Sequence, residues 1–189
     1  MRIGAGRAKG REIGVRKAFT RTGDEEELRP TSAKVREAVF DIIRDRIQGA
    51  RFLDLYAGTG GIGLEALSRD AAEVVFVELG DLRTRLIRSL LSEFNFRERA
   101  VVIRAEACAF IRKEIKKGII YDIIFIDPPY GSEELVKALG FIGESAMLAE
   151  DGIVIAEHFS KRLLPDAFNG LRIKKRYRYG DTTLSLYRR

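Results

Sequence analysis

The feature that most constrains the fold is a regular alternation of two kinds of segment between residues 51 and 156. Short apolar runs rich in β-branched residues have the length of strands, and the segments between them repeat their apolar residues at helical spacing. This alternation predicts an α/β fold built from βαβ units, in which helices cover both faces of a parallel sheet. The expected strands are 51–56, 74–78, 101–103, 121–126 and 152–156, and the expected helices between them are 64–69, 82–94, 109–117 and 133–147.

The two ends of the chain depart from this alternation. Two strand-like runs at 171–177 and 182–187 flank the turn Arg178-Tyr179-Gly180-Asp181, which predicts an antiparallel C-terminal hairpin. At the start, glycines are mixed with basic and apolar residues, which predicts a short basic β-ribbon, with a disordered tail as the alternative. We therefore expect a basic extension at residues 1–28 and one α/β domain at residues 29–189.

The start of that domain has the signals of a helix N-terminus. Pro30 precedes Thr31 and Ser32, either of which can cap a helix with its side-chain oxygen. Apolar residues then recur at helical spacing over 35–47, and the acidic run 24–27 before them indicates a linker. The first helix of the domain is therefore expected between residues 35 and 47.

The composition limits the class of protein. A chain of 189 residues with 46% hydrophobic content suits one domain with a full core. No apolar run reaches membrane-spanning length and the first residues do not resemble a signal peptide, so we expect a cytoplasmic protein. One cysteine, Cys108, and one histidine leave no internal disulfide and no Cys/His metal cluster. We expect Cys108 to be a buried, inert thiol, and the protein to be a monomer without a metal ion.

Basic residues concentrate at both ends of the chain. Residues 1–21 hold seven Lys and Arg residues against one Glu, and residues 171–189 hold seven against one Asp. Because the whole chain carries only +6, its middle is net acidic. Basic ends around an acidic body predict a polyanionic partner such as RNA, and a solvated basic surface is the alternative. The best candidates for phosphate contacts cluster among glycines and are Arg7, Lys9 and Arg11.

The tetrapeptide Asp127-Pro128-Pro129-Tyr130 directly follows the expected strand 121–126. Ligands of open α/β sheets bind at the carboxyl edge of the strands, so this corner is a candidate binding site. Asp127 and the Pro128 carbonyl oxygen are two acceptors, and Tyr130 has a flat aromatic face. This combination suits a planar base with an NH2 group, held by the two acceptors and stacked on the ring. A strand-end turn capped by an aspartate is the alternative.

A glycine-rich turn between the first strand and its helix is a second candidate site. Its glycines Gly58, Gly60 and Gly63 match the fingerprint of dinucleotide-binding proteins. Glu78 ends the next strand, where an acid can bind ribose hydroxyls. This pattern by itself fits NAD as well as S-adenosylmethionine (SAM).

Two acidic residues near the turn bear on that choice. Asp54 favours SAM, because a carboxylate suits the amino-acid part of that cofactor but would repel a pyrophosphate. Glu106, after the third strand, is expected to flank the adenine. Its alternative role is that of an acid at a helix N-terminus.

Taken together and in order, these motifs resemble class I methyltransferases, and more closely the bacterial 16S rRNA guanine-N2 methyltransferase family known as RsmD. The resemblance covers nearly the whole chain. It rests on the glycine-rich basic opening and on Arg29-Pro30-Thr31, Asp54-Leu55-Tyr56-Ala57-Gly58-Thr59-Gly60, Glu65-Ala66-Leu67-Ser68-Arg69, Asp127-Pro128-Pro129-Tyr130, Glu157-His158 and Tyr179-Gly180-Asp181-Thr182.

The resemblance implies a Rossmann-like class I methyltransferase fold with a mostly parallel, seven-stranded sheet. It also implies methyl transfer from SAM to the exocyclic N2 of a guanine in 16S rRNA, within a partly assembled small subunit. The residues that it implies for the reaction are Asp127, Pro128 and Tyr130. Those that it implies for the cofactor are Asp54, Tyr56, Gly58, Gly60, Glu78, Glu106 and Ala107.

Two departures from the family pattern leave other functions open. Glu106 stands where the family more often has Asp. Asp127 stands where some relatives have Asn, and Asp-Pro-Pro-Tyr also occurs in adenine-N6 DNA methyltransferases. The alternatives are an adenine-N6 or other amino-group methyltransferase, a non-catalytic RNA-binding assembly factor and an NAD-dependent oxidoreductase. His158, Tyr179 and Asp181 are left without a role.

Overall fold

The computed structural model describes residues 2–13, 32–129 and 131–189. The strands are β1 (Arg51–Leu55), β2 (Glu73–Glu78), β3 (Ala100–Arg104), β4 (Tyr121–Ile126), β5 (Leu148–Phe159), β6 (Ala167–Phe168), β7 (Leu171–Tyr179) and β8 (Thr182–Arg188). The helices are α1 (Ala33–Ile42), α2 (Gly61–Ser68), α3 (Asp81–Glu93), α4 (Ala107–Lys117) and α5 (Glu134–Gly143). The predicted alternation of strands and helices is confirmed.

These strands form one sheet with the order β3-β2-β1-β4-β5-β8-β7-β6. Strands β1 to β5 pair in parallel, and β8 lies antiparallel between β5 and β7. The mostly parallel sheet and its antiparallel C-terminal hairpin are therefore confirmed. The short β6, which pairs with the start of β7, is an eighth strand beyond the seven expected. Two residues are too few to reveal a strand period in a sequence.

Strands β1, β2 and β4 and the second half of β5 are buried on both faces, between two apolar layers. Alternate residues such as Phe52, Phe76 and Phe125 lie in one layer together with α1, α2 and α3. Residues between them, such as Leu53 and Val75, lie in the other layer with α4 and α5. Burial on both faces explains why these strands are continuous apolar runs rather than alternating ones.

Two helices end earlier than their apolar patterns predicted. Helix α1 ends at Ile42 rather than at residue 47, and α5 ends at Gly143 rather than at residue 147. Ile47 and Met147 are nevertheless buried in the core. Both residues follow the end of a helix but still pack into the core, so the apolar pattern of the sequence continues beyond the last helical residue.

Strand β5 is longer than predicted at its carboxyl end. The apolar run predicted an end at Ala156, but the strand continues to Phe159 because its last residues pair antiparallel with β8. Glu157 and His158 therefore belong to a strand, at the carboxyl edge of the sheet.

The first residues of the chain pack on helix α2. Arg2 and Glu12 form an antiparallel bridge, in agreement with the expected ribbon. Between them, Ile3 is buried. The carboxylate of Glu65, on α2, accepts hydrogen bonds from two successive backbone N–H groups of this segment, the first at 2.7 Å. The basic extension is thus anchored to the domain by a buried acid.

Several predicted features fall outside the described residues, namely the linker 24–27, the motif Arg29-Pro30-Thr31 and Tyr130. The predicted boundary at residue 28 therefore stays a prediction. Of the two expected caps, Ser32 is the N-cap of α1, and its hydroxyl oxygen accepts a hydrogen bond from the backbone N–H of Val35 at 3.2 Å. Within the described parts of the chain, no helix has the length and apolarity needed to cross a membrane.

Candidate active site

Four carboxylic side chains lie on one face of the sheet, near the carboxyl ends of four neighbouring strands. The register of β1, β2, β4 and β5 brings these strand ends together, and side chains two residues apart along a strand share a face. We call the four residues the acidic cluster: Asp54, Glu78, Asp127 and Glu157. The charge of Asp127 acts on both Asp54 and Glu157, which agrees with this placement.

Asp54 is deeply enclosed, with only 2% of its surface exposed. Its Oδ2 accepts a hydrogen bond from the backbone N–H of Gly63, at 2.9 Å. Burial is the main reason that the pKa of Asp54 is raised to about 8; the Gly63 bond opposes this shift, and Asp127 and Glu78 add to it. A bound cation would favour the charged carboxylate, so this position suits a positively charged ligand.

The glycine-rich turn fits closely between β1, α2 and α3. Gly60 has a φ of +79°, and a Cβ there would lie 2.9 Å from Cγ1 of Ile87. At Gly63, a Cβ would lie 2.1 Å from the Phe76 ring. Gly58, with a φ of +55°, has open space instead: the nearest atom to its Cβ would be 3.9 Å away. A ligand can therefore approach the backbone at Gly58, whereas a side chain at either of the other two glycines would clash with the packed side chains.

Glu78 holds the same turn from the end of β2. Its Oε2 accepts the backbone N–H of Gly58 at 2.9 Å, and its Oε1 accepts that of Gly80 at 2.7 Å. Arg83 lies 3.5 Å from Oε1. Because each carboxylate oxygen can accept further hydrogen bonds, Glu78 keeps capacity for ribose hydroxyls, its predicted role.

Glu106 caps the N-terminus of α4, which begins at Ala107. Its two oxygens accept backbone N–H groups from Cys108 at 2.9 Å and from Ala109 at 3.0 Å. The capping role raised as an alternative is therefore present in the structure. The adenine contact of Glu106 and the cofactor-binding role of Ala107 stay predictions.

Tyr56 belongs to a hydrogen-bonded group that sequence reasoning missed. Its backbone has a φ of 62°, and its hydroxyl donates to Oε2 of Glu134 at 3.0 Å. The buried thiol of Cys108 donates to the same oxygen at 3.3 Å. Glu134 is 78 residues from Tyr56 in the chain, so no local pattern signals this contact. The hydrogen bond to Glu134 fixes the side chain of Tyr56, which directly follows Asp54-Leu55.

The protonation states within this group follow from burial. Burial is the main reason that the pKa of the Cys108 thiol is raised to about 12, and the hydrogen bond with Glu134 is the second reason. A thiol that stays protonated at neutral pH is unreactive, in agreement with the prediction for Cys108. Burial opposes ionisation of Glu134, but the bonds from Cys108 and Tyr56 outweigh it and lower the pKa of this carboxyl. Although Glu106, Cys108 and Glu134 bring three potential metal ligands within 4.8 Å, their hydrogen bonds already explain the grouping.

The Asp127-Pro128-Pro129 corner leaves β4 at the carboxyl edge. Asp127 is half-buried, Pro128 is buried and Pro129 is exposed. The Pro129 carbonyl accepts the backbone N–H of Ser132 at 3.3 Å. Arg162, from the segment after β5, donates to the carbonyl of Ser132 and lies 3.7 Å from Glu133. The loop that follows the corner is therefore tied to the neighbouring strand end.

Two consecutive residues at the end of β5 face opposite sides of the sheet. Glu157 faces the other three residues of the acidic cluster. It is 4% exposed, and its Oε2 has no hydrogen-bond partner among the described residues. His158 faces away, and its Nε2 lies 2.8 Å from Oγ of Ser185. Burial lowers the pKa of His158, which fits a structural imidazole. Sequence analysis assigned no role to Glu157, although it follows an apolar strand as Asp127 does.

The basic residues predicted to contact RNA lie away from this edge. The Arg7 guanidinium pairs with Asp70 at 2.6 Å, and Arg11 donates to the Glu93 carbonyl at 2.9 Å, while Lys9 is exposed. Those contacts are at the C-terminal ends of α2 and α3. Both helices begin at the carboxyl edge of the sheet and run back, so Arg7 and Arg11 lie about one helix length from that edge, roughly 12 Å along α2 and roughly 20 Å along α3.

The raised pKa values make a prediction about stability. Asp54 and Glu157 both have pKa values of about 8 in the folded protein, well above ordinary carboxyl values. Between about pH 4 and pH 8 the folded state binds more protons than the unfolded chain, so these groups stabilise it at low pH and that stabilisation is lost as the pH rises. The difference in the free energy of unfolding between Glu157→Gln and wild type should rise in favour of the variant by about 1–2 kcal/mol from about pH 5 to pH 8. Urea unfolding at both pH values measures it, and a change in favour of wild type over this range would contradict the raised pKa.

Comparisons with known proteins bear on the identity of this site. Over the full length of the chain, the sequence is 35% identical to "Putative rRNA methyltransferase YlbH" of Bacillus subtilis, covering 99% of that protein. It is 30% identical to "Ribosomal RNA small subunit methyltransferase D" of Escherichia coli K12, covering 100% of this chain and 90% of that protein.

Solved structures with a similar fold are also methyltransferases. The structure of the putative methyltransferase yhhF from Escherichia coli matches with a TM-score of 0.85 and 26% identity, covering 100% of this chain and 97% of that one. A putative methyltransferase complexed with S-adenosylhomocysteine (SAH) shares the fold, with a TM-score of 0.62 and 16% identity over 82% of this chain and 48% of that one.

The parallel sheet, its antiparallel hairpin, the glycine-rich turn and the acid at the end of β2 define a class I methyltransferase that uses SAM. The chemistry of the site fits this cofactor rather than NAD, because clustered buried carboxylates suit a cation and would repel a pyrophosphate. The chain belongs to the family described as Conserved hypothetical protein 95, which matches residues 1–188.

Proposed function

We propose that this protein methylates the exocyclic N2 of a guanine in 16S ribosomal RNA, with SAM as the methyl donor. The observation that carries the proposal is the position of the Asp127-Pro128 corner, at the same sheet edge as the glycine-rich turn. A target amine held at Asp127 would lie beside a cofactor held at Asp54 and Gly58. The names of the relatives in Bacillus subtilis and Escherichia coli support ribosomal RNA as the substrate.

The residues at the turn would bind the cofactor through complementary charge and shape. Asp54 and Glu78 would provide the carboxylates for its amino-acid and ribose parts, and Gly58 leaves room beside the backbone. Tyr56, Gly60, Glu106 and Ala107 would complete the binding site. The bound cofactor supplies an electrophilic methyl group on a positively charged sulfur.

The corner would hold and orient the target amine. The Asp127 carboxylate and the Pro128 carbonyl can each accept one hydrogen of an NH2 group, which leaves the nitrogen lone pair directed away from the base ring. Tyr130 would stack on the base. Asp127 can then accept the proton that the amine sheds, so no stronger base is needed and positioning supplies most of the rate enhancement.

The wider setting of the reaction is part of the same proposal. The protein would act in the cytoplasm as a monomer, without a metal ion, on a partly assembled small subunit. The reacting nucleotide must enter a site enclosed by strand ends, which favours a flipped base over one stacked in a helix. The basic extension would contact phosphates of the RNA outside the site.

The direct test is product analysis. Small ribosomal subunits that lack the modification should acquire label from methyl-labelled SAM, and the hydrolysed RNA should contain N2-methylguanine. Large subunits serve as the control substrate and should remain unlabelled. Label found in adenine would support the adenine-N6 alternative, and label found only in protein would overturn RNA methylation altogether.

A charge substitution tests the RNA contact of the extension. Lys9 is the suitable residue because Arg7 and Arg11 already make contacts within the protein. We expect Lys9→Ala to weaken binding to unmodified small subunits about twofold to fivefold, and to reduce the slope of log affinity against log salt by about one. Lys113→Ala, an exposed lysine on α4, is the matched control and should leave both values unchanged. Equal effects of the two substitutions would argue against a specific contact.

A further inference from the structure

We infer that Glu157 selects guanine as the substrate, by accepting a hydrogen bond from its N1–H while Asp127 and Pro128 hold its N2 amino group. The inference rests on the proposed function and adds a residue to the site. Its role would be recognition of the base, distinct from the orientation of the reacting amine.

The register of the sheet places Glu157 beside Asp127. Ile126 of β4 pairs with Ala156 of β5, so the next residue of each strand is a neighbour of the other. Adjacent strands are about 4.8 Å apart, which is close enough for two carboxylates to contact one small base together. The charge of Asp127 acts directly on Glu157.

Glu157 has an acceptor that the described part of the protein leaves unused. The residue is 4% exposed, and its Oε2 has no hydrogen-bond partner among residues 2–13, 32–129 and 131–189. A buried polar atom without a partner destabilises a fold by about 1–3 kcal/mol, so such an atom calls for an explanation. Burial, and then Asp127, raises the pKa of Glu157, so a donor from outside would relieve both unfavourable effects.

The edge of guanine has the hydrogen-bond donors that this arrangement needs. Guanine carries N1–H next to its N2 amino group, so a base held by its amine at Asp127 presents a second donor to the neighbouring carboxylate. Adenine presents an N1 lone pair beside its own amino group. A protonated Glu157 can donate to that lone pair, whereas an ionised Glu157 is repelled by it, so the carboxyl discriminates most strongly above its raised pKa of about 8. The Asp127-Pro128 corner accepts either amine, whereas Glu157 distinguishes the two bases.

A change in the substrate isolates this contact. Small subunits would be reconstituted with 16S rRNA that carries either guanine or 2-aminopurine at the methylated position. The base 2-aminopurine keeps the reactive 2-amino group but has a lone pair at N1 instead of N1–H. It also lacks O6, and that loss affects wild type and variant alike, so the comparison of their ratios reports on N1–H alone.

The expected result is a change in the ratio of the two kcat/KM values. For wild type at about pH 8.5, where most Glu157 side chains are ionised, guanine should be preferred over 2-aminopurine by about 10-fold, as expected for a hydrogen bond to a charged group. For Glu157→Gln the preference should fall to about threefold or less, because an amide can donate to N1 as well as accept from N1–H. Glu150→Gln, an exposed residue of the same strand, should keep the wild-type ratio.

Two further measurements separate recognition from folding. The Glu157→Gln variant should bind SAH with an affinity within about twofold of wild type, and it should be no less stable to urea, since it removes a buried unpaired acid. A purely structural role would lower stability and slow both substrates equally.

The outcomes for the inference and for the proposed function differ. If wild type produces N2-methylguanine and Glu157→Gln retains the full preference, Glu157 does not read N1–H, and the proposed function stands without it. If wild type produces no N2-methylguanine, the proposed function fails and the inference fails with it.

Discussion

Replacing Asp127 by alanine is expected to lower methyl transfer by about 10³-fold while the affinity for SAH changes by less than about threefold. Asp127 is at the end of β4 and half-buried, next to the open side of the glycine-rich turn but not part of it. Its loss removes one of the two acceptors that orient the amine. The N–H contacts of Asp54 and Glu78 are left in place. Single-turnover methylation and calorimetric titration with SAH measure the two effects separately.

Two further variants sharpen this experiment. Asp127→Asn keeps an acceptor oxygen but loses the charge, so its rate should fall between those of wild type and Asp127→Ala. Asp151→Ala removes an exposed aspartate of β5 and is the control, with wild-type rate and SAH affinity. Loss of SAH binding together with activity in Asp127→Ala would show that Asp127 supports the cofactor site, and would refute the role assigned to it.

The same substitution at two helical glycines is expected to change stability in opposite directions. At Gly63, in α2, a Cβ would lie 2.1 Å from the ring of Phe76, so Gly63→Ala must push the helix away from β2. We expect it to lower the free energy of unfolding by about 3 kcal/mol. At Gly140, in α5, no atom outside the helix lies within 4 Å of the added methyl group. Gly140→Ala should therefore raise the free energy of unfolding by about 0.5–1 kcal/mol through helix propensity.

Cofactor binding should follow the same division. The backbone N–H of Gly63 donates to Asp54, so displacement of α2 also disturbs the most enclosed acid of the site. The SAH affinity of Gly63→Ala should fall by about 10-fold or more, whereas that of Gly140→Ala should be unchanged. Urea unfolding and SAH titration of both variants test this. Equal stability of the two variants would mean that the protein can accommodate a methyl group between Gly63 and the Phe76 ring.

Much of the site could be predicted because the relevant signals are local. Asp54, Glu78 and Asp127 each lie at or near the end of an apolar strand, and parallel strands place their carboxyl ends at one edge. Glu157 gave the same kind of signal, but the expected end of its strand was placed at Ala156. That end depends on pairing with β8, which a local apolar pattern does not report.

Contacts between distant parts of the chain could not be predicted in this way. Tyr56 and Glu134 meet across 78 residues, and neither lies in a pattern that identifies the other. The basic extension was expected to contact RNA. Two of its arginines instead contact the protein: Arg7 pairs with Asp70, just after α2, and Arg11 donates to the carbonyl of Glu93, at the end of α3. The sequence shows how many basic residues a segment carries. The positions of their side chains depend on where the segment packs in the folded protein.

The amino-acid sequence by itself determined the order of strands and helices and the two candidate motifs, because hydrophobic period and residue spacing act over a few neighbouring residues. Its glycine-rich turn fitted NAD as well as SAM. Only the tertiary structure decided which acids share a face, which of their oxygens are already bonded, and which glycines lie against packed side chains. These properties depend on strand register and on distances between residues that are far apart in the chain, and a linear pattern contains neither.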